Sequence, residues 1–147
     1  MSEHRATVEW QRSGEFRYES YSRSHTLRFE GVTAPGNAAP GNIPATVMPE
    51  SGVDPEQTFV ASLSACHMLW FLHLACQKGW VVERYVDEAV GVLDRTWISR
   101  VTLRPTVVFS GPKPSQDEHE ALHHRAHEKC FIANSVKTEV IVEPCLK

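Results

Sequence analysis

A run of apolar and small residues between Asp54 and Gly79, DPEQTFVASLSACHMLWFLHLACQKG, constrains this chain more than any other feature. Its start carries three helix signals: Asp54 as a capping side chain, Pro55 at the first helical position, and Glu56 beside the positive end of the helix dipole. Gly79 suits the far end, so the spacing predicts one helix from Pro55 to about Lys78. Phe59, Leu63, Leu69, Phe71 and Leu72 do not share one narrow stripe, and apolar surface surrounds much of the axis. Such a helix must be covered on most sides, by a sheet and by a partner. Ser and His residues interrupt the run, which argues for a buried core helix over a membrane span.

The segments around it read mostly as strands. ATVEWQR and EFRYESYSR alternate apolar with polar residues, with Ser13-Gly14 as a hairpin turn between them, and HTLRFEG continues the pattern. APGNAAPGNIPATVMPESG is dense in Pro, Gly and Asn and is expected to be a long surface loop. After the helix, WVVERYVDEAVGVLDRTW and RVTLRPTVVFSG read as two Val-rich strands with a turn near Asp94 to Ser99. Ser115 caps a second helix, QDEHEALHHRAHEKC, and VKTEVIVEP is a last strand. The expectation is one α+β domain over residues 1–147, in the order βββ-α-ββ-α-β. A net charge of −3 without a Lys/Arg run gives no reason to expect nucleic acid. The polar start MSEHRATVEWQR lacks the pattern of a secretory leader, so a cytoplasmic protein without a membrane partner is expected.

Four cysteines in 147 residues do not make a disulfide scaffold. Each is an inert core residue, a metal ligand or a reactive thiol. Cys66 falls mid-helix, where burial is the ordinary fate of a cysteine. Cys130 follows the second helix, while Cys76 and Cys145 lack comparable context. His123 and His127 share a helix face with Cys130 one turn on, a set that could hold a divalent ion; no paired-cysteine motif supports it, and a solvated face is the plainer reading. His67 projects about 100° away from Cys66 and is a poor base for it. No Ser-His-Asp pattern, nucleophile elbow or phosphate-cradling loop is present, and no cofactor is expected.

Two segments taken together, DPEQTFVASLSACHMLWFLHLA and AHEKCFIANSV, resemble the OsmC/Ohr family of hydroperoxide reductases. The resemblance implies sheets wrapped around a long central helix in an interlaced homodimer. It implies a peroxidatic Cys66, a resolving Cys130, and Glu56 orienting an arginine from the N-terminal strands, for which Arg23 in YSRSH is the choice, with Arg17 and Arg28 close by. Phe131 stands where the family often has Pro after the resolving cysteine. The implied substrates are an organic hydroperoxide and a dithiol reductant; a small-ligand or metal-binding protein without turnover is the alternative.

Those residue types suit that chemistry. A thiolate attacks the peroxide, and a free cysteine with a pKa of about 8.5 is mostly protonated at neutral pH. A guanidinium nearby favours the thiolate, and a carboxylate can fix that guanidinium by a bidentate pair. Ten helical residues span about 15 Å, too far for Glu56 and Cys66 of one chain to share one arginine. A homodimer would let Glu56 and Arg23 of one subunit face Cys66 of the other. Phe59, Met68, Leu69 and Phe131 are candidate pocket residues for an alkyl chain.

Overall fold

The computed structural model describes residues 1–47 and 50–147. Helix α1, Pro55–Gln77, is bracketed by the signals read in the sequence. The Asp54 carboxylate accepts from the Gln57 amide N–H at 2.7 Å while the Gln57 side chain accepts from the Asp54 N–H at 3.2 Å, a reciprocal cap. At the other end Gly79 turns the chain at φ +80°. The Gly79 N–H donates to the Cys76 carbonyl and the Trp80 N–H to the Ala75 carbonyl, both at 3.0 Å, closing the helix with a left-handed residue that glycine adopts most cheaply. Helix α2, Gln116–Lys129, begins with a second capping box, Ser115 with Glu118.

The chain divides into two units, Met1–Thr58 and Phe59–Lys147, with the division inside the first turns of α1. The first unit holds an antiparallel sheet of β1 (Ala6–Glu9), β2 (His25–Phe29) and β3 (Val32–Gly36). Two expectations fail here. Residues 15–23 form no strand and Ser13-Gly14 makes no hairpin; β1 pairs directly with β2. Trp10, Phe16 and Tyr21 instead gather into one aromatic cluster with centroids 5.0–6.0 Å apart, so their alternation reflects a knot of rings. The expected loop also starts too early, because Ala34-Pro35-Gly36 belongs to β3. Pro35 is tolerable because β3 lies at a sheet edge. Met48 and Pro49 of that loop lie outside the described residues.

In the second unit the two expected strands after α1 are four: β4 (Val81–Asp87), β5 (Val90–Asp94), β6 (Trp97–Leu103) and β7 (Pro105–Ser110). The final segment is likewise two, β8 (Glu139–Val142) and β9 (Cys145–Leu146). One sheet has the order β4-β7-β9 and the other β5-β6-β8. Each long Val-rich stretch therefore leaves one sheet and enters the other at Glu88-Ala89, at Arg104 and at Glu143-Pro144. Asp87 pins the first two crossings: its carboxylate accepts from the Arg104 amide at 2.6 Å and from the Ser64 hydroxyl at 2.5 Å. Pro105 lacks an N–H and biases Arg104 toward extended backbone, which suits a bend.

The two sheets cover different parts of α1. Phe71, Leu74 and Ala75 pack with Val107 of β7 and with Leu122 and Ala126 of α2. Leu63 packs with Val101 and Leu103 of β6. Gly91 lets β5 approach α1, since a Cβ there would lie 2.5 Å from Val60 Cγ2. α1 is long and apolar enough to cross a bilayer by length and composition, but these contacts make it a core helix of a soluble fold. Ala61, Ala65, Leu69, His73 and Cys76 remain exposed along one side of it.

Candidate functional site

All four cysteines are free thiols. Cys66 is half-buried on α1, and Cys130, the residue that ends α2, is buried with 1% of its surface exposed. Although 64 positions apart in sequence, the two are neighbours in the fold, close enough for Cys66 to raise the Cys130 thiol pKa. The packing of α1 on α2 through Leu74, Leu122 and Ala126 holds the helices together, and the end of α2 delivers Cys130 to Cys66. Burial pushes the Cys130 thiol up to about 11, with the Cys66 contact adding to the rise and the Ala133 N–H, 3.4 Å from the sulfur, opposing it. Cys76 and Cys145 are exposed.

Cys66 opens onto a cavity of about 310 Å³ shared with Leu69, Trp70, His73 and Phe131. Leu69 and Phe131 were expected there. Phe59 instead packs against the Leu63–Val101–Leu103 cluster, and Met68 is not among the lining residues. Trp70 and His73 were not anticipated. They follow Cys66 by four and seven residues, the helical spacing that puts side chains on one face, and that spacing was visible in SACHMLWFLH. Trp70 meets Phe131 and His73 edge-to-face, at 5.4 and 5.7 Å between centroids.

The expected carboxylate–guanidinium pair is not formed within the chain. The Arg23 guanidinium donates to the carbonyls of Tyr21 (2.5 Å) and Tyr18 (2.7 Å) and lies 3.5 Å from the Tyr21 ring centroid. Glu56 accepts from the Asn42 side chain at 3.2 Å, and its Oε2 is buried without a partner. The other two candidate arginines are engaged as well, Arg17 with Glu15 and Arg28 with Glu9, each at 2.5 Å. Partners within the N-terminal unit, local for Arg17 and Arg23 and across β1 and β2 for Arg28, win over the pairing with Glu56 that the sequence suggests.

The histidines form a different feature from the expected face. His67 Nε2 lies 3.0 Å from His123 Nδ1, and His123 Nε2 lies 3.3 Å from His119 Nε2, with all three residues at most 1% exposed. Burial lowers all three, His67 to about 4. His123 therefore faces inward and is engaged at both nitrogens, which separates it from the proposed His123, His127 and Cys130 ligand set. Among the described residues no group of three His, Cys, Asp or Glu side chains is placed to hold a metal ion.

Comparison with known proteins decides the family: the OsmC-like protein model matches residues 48–144. The chain belongs to the OsmC family. An OsmC-like protein of unknown function from Vibrio cholerae is 46% identical, with 98% of this chain and 99% of that one covered at a TM-score of 0.92. The OsmC fold also matches the Bacillus subtilis organic hydroperoxide resistance protein OhrB at 21% identity, covering 97% and 98% of the two chains with a TM-score of 0.61. A Legionella pneumophila structure described as an organic hydroperoxide resistance protein and predicted redox protein matches at 18% identity, 100% and 99% coverage and a TM-score of 0.62. No curated protein matches the chain. Membership of the OsmC family accounts for the two helices and the long α1.

Proposed function

We propose that this OsmC-family protein is a thiol peroxidase that reduces organic hydroperoxides at Cys66 and resolves the product with Cys130. The observation that carries the reading is the proximity of a half-buried thiol facing an apolar cavity to a second, buried thiol. The Cys66 thiolate attacks one peroxide oxygen, the O–O bond breaks, and the alkoxide leaves to take up a proton as the alcohol. Cys66 is left as a sulfenic acid. The Cys130 sulfur then displaces the sulfenic hydroxyl, which departs as water with the Cys130 proton, and an S–S bond forms. A dithiol reductant resets the pair by two exchange steps, becoming a disulfide itself.

The partners in this reading are an organic hydroperoxide, a dithiol reductant and a second copy of the chain. The exposed apolar side of α1 and the unpartnered Glu56 Oε2 support the homodimer. There, Arg23 released from its tyrosines would serve Cys66 of the opposite subunit. The test is peroxide consumption with excess dithiol. Cys66→Ser should abolish it, whereas full activity in that variant would remove Cys66 from the reaction.

A further inference from the structure

Three buried imidazoles bridge the two helices, and the peroxide reaction makes no use of them. His67 stands on α1 and His119 and His123 on successive turns of α2, with nitrogens 3.0 Å apart between His67 and His123 and 3.3 Å apart between His123 and His119. Phe71 stacks on His123 at 4.1 Å between centroids and meets His119 edge-on at 5.7 Å. The outer nitrogens, His67 Nδ1 and His119 Nδ1, are buried without a hydrogen-bond partner, as are His127 Nδ1 and the Tyr85 hydroxyl. Among the described residues no anion stands ready to balance a charge on these rings. β4 presents Tyr85 to them, and its Asp87 is taken by the Ser64 hydroxyl and the Arg104 N–H. β7 presents Val107 and Phe109, and β8 presents Val140 and Val142. On α2 itself, Glu120 is exposed and hydrogen-bonded to Gln116, and Glu128 pairs with His124. His127 adds another basic group beside His67.

We infer that the imidazole chain is a proton-sensitive latch holding α2 on α1, so that mild acid releases the end of α2 and separates Cys130 from Cys66. The inference rests on Cys130 being the resolving cysteine. Proton counting sets the limit of the latch. Three neutral rings carry three N–H hydrogens, two for the bonds between rings and one for an outer nitrogen. One added proton fills the other outer nitrogen and leaves an unbalanced charge among apolar side chains. A second sets N–H against N–H and breaks the chain. While α2 is docked, burial keeps all three rings neutral at neutral pH. Undocking hydrates the rings, which then bind protons below about pH 6.5. Undocking therefore takes up protons, and falling pH favours it. His123 and His127 line a cavity of about 350 Å³ that reaches the exposed residues Glu120 and His124, so protons have a route from solvent to the chain. Under these conditions Cys66 is still oxidised, but its sulfenic acid no longer meets the Cys130 thiol.

In the experiment the full chain receives a single equivalent of an alkyl hydroperoxide, and the product is divided between the Cys66–Cys130 disulfide and Cys66 sulfenic acid trapped by a carbon nucleophile. Between about pH 7.5 and about pH 5 the ratio of disulfide to trapped acid falls for any such pair, because less thiolate is present. His123→Phe keeps a ring against Phe71 but takes up no proton, so it measures that common fall. The wild-type ratio should fall about tenfold further than the His123→Phe ratio. Equal falls would overturn the inference. Amide hydrogen exchange of the wild type needs no variant: corrected for the intrinsic effect of pH, protection of α2 should drop at about pH 5 while that of α1 holds. Unchanged protection of α2, or loss of both helices together, would overturn the latch and leave peroxide chemistry at Cys66 intact. A wild type that forms no Cys66–Cys130 disulfide at about pH 7.5 would overturn the resolving role and the inference with it.

Discussion

Cys66 and Cys130 are neighbours, yet their surroundings divide the work between them. With its pKa pushed up to about 11, Cys130 stays a protonated thiol at neutral pH and is a poor nucleophile toward peroxide. Its proton becomes useful later, when hydroxide must leave Cys66. Cys130→Ser should therefore consume a single equivalent of hydroperoxide and stop at a Cys66 sulfenic acid that a sulfenic-selective carbon nucleophile traps. Sustained turnover of that variant with a dithiol would contradict the resolving role. The His67–His123–His119 chain makes a prediction of another kind. An unfolded histidine with a pKa of 6.5 binds protons more readily than His67 does when folded at about 4. The contribution of the cluster is fully present above about pH 6.5 and is lost as pH falls toward about 4. The urea midpoint should drop between about pH 7.5 and about pH 5. An unchanged midpoint would mean that these rings take up protons without unfolding.

At the scale of elements, two glycines carry separable loads. At Gly91 any side chain meets Val60, so Gly91→Ala should cost about 1–3 kcal/mol through overpacking of β5 on α1. At Gly79 there is open space, and Gly79→Ala should cost about 1–2 kcal/mol through left-handed backbone alone. Chemical denaturation of the two variants checks both values, and a neutral Gly91→Ala would mean that β5 can move away from the helix. Both helices were legible because capping is local: Asp54, Gln57, Ser115 and Glu118 act within one turn. The strands were legible as extended segments but not as a count. Val81–Asp94 keeps one β-type pattern while changing sheets at Glu88-Ala89, and only the hydrogen-bond partners on either side reveal the switch. Cys66, Cys130, Leu69 and Phe131 were singled out by family resemblance and apolar character, and the fold brings Cys66, Leu69 and Phe131 to one cavity with Cys130 nearby. The inward turn of His119 and His123 was hidden, because a polar helix read alone does not show which face meets a neighbour.

At the scale of the whole molecule, the account needs a second copy of the chain. Leu69 is 62% exposed and Phe131 68%, both at the mouth of the Cys66 cavity. Sedimentation should return a dimer, and Leu69→Asp should shift it toward monomer with loss of peroxide turnover; a monomeric wild type would remove the route by which Arg23 is proposed to reach a thiolate. The most direct test of the central claim is thiol counting and disulfide mapping after one equivalent of an alkyl hydroperoxide. The account predicts loss of two of the four free thiols and a single intrachain crosslink between Cys66 and Cys130. Peroxide consumed while Cys66 and Cys130 both stay reduced, or a crosslink formed through Cys76 or Cys145 instead, would contradict it.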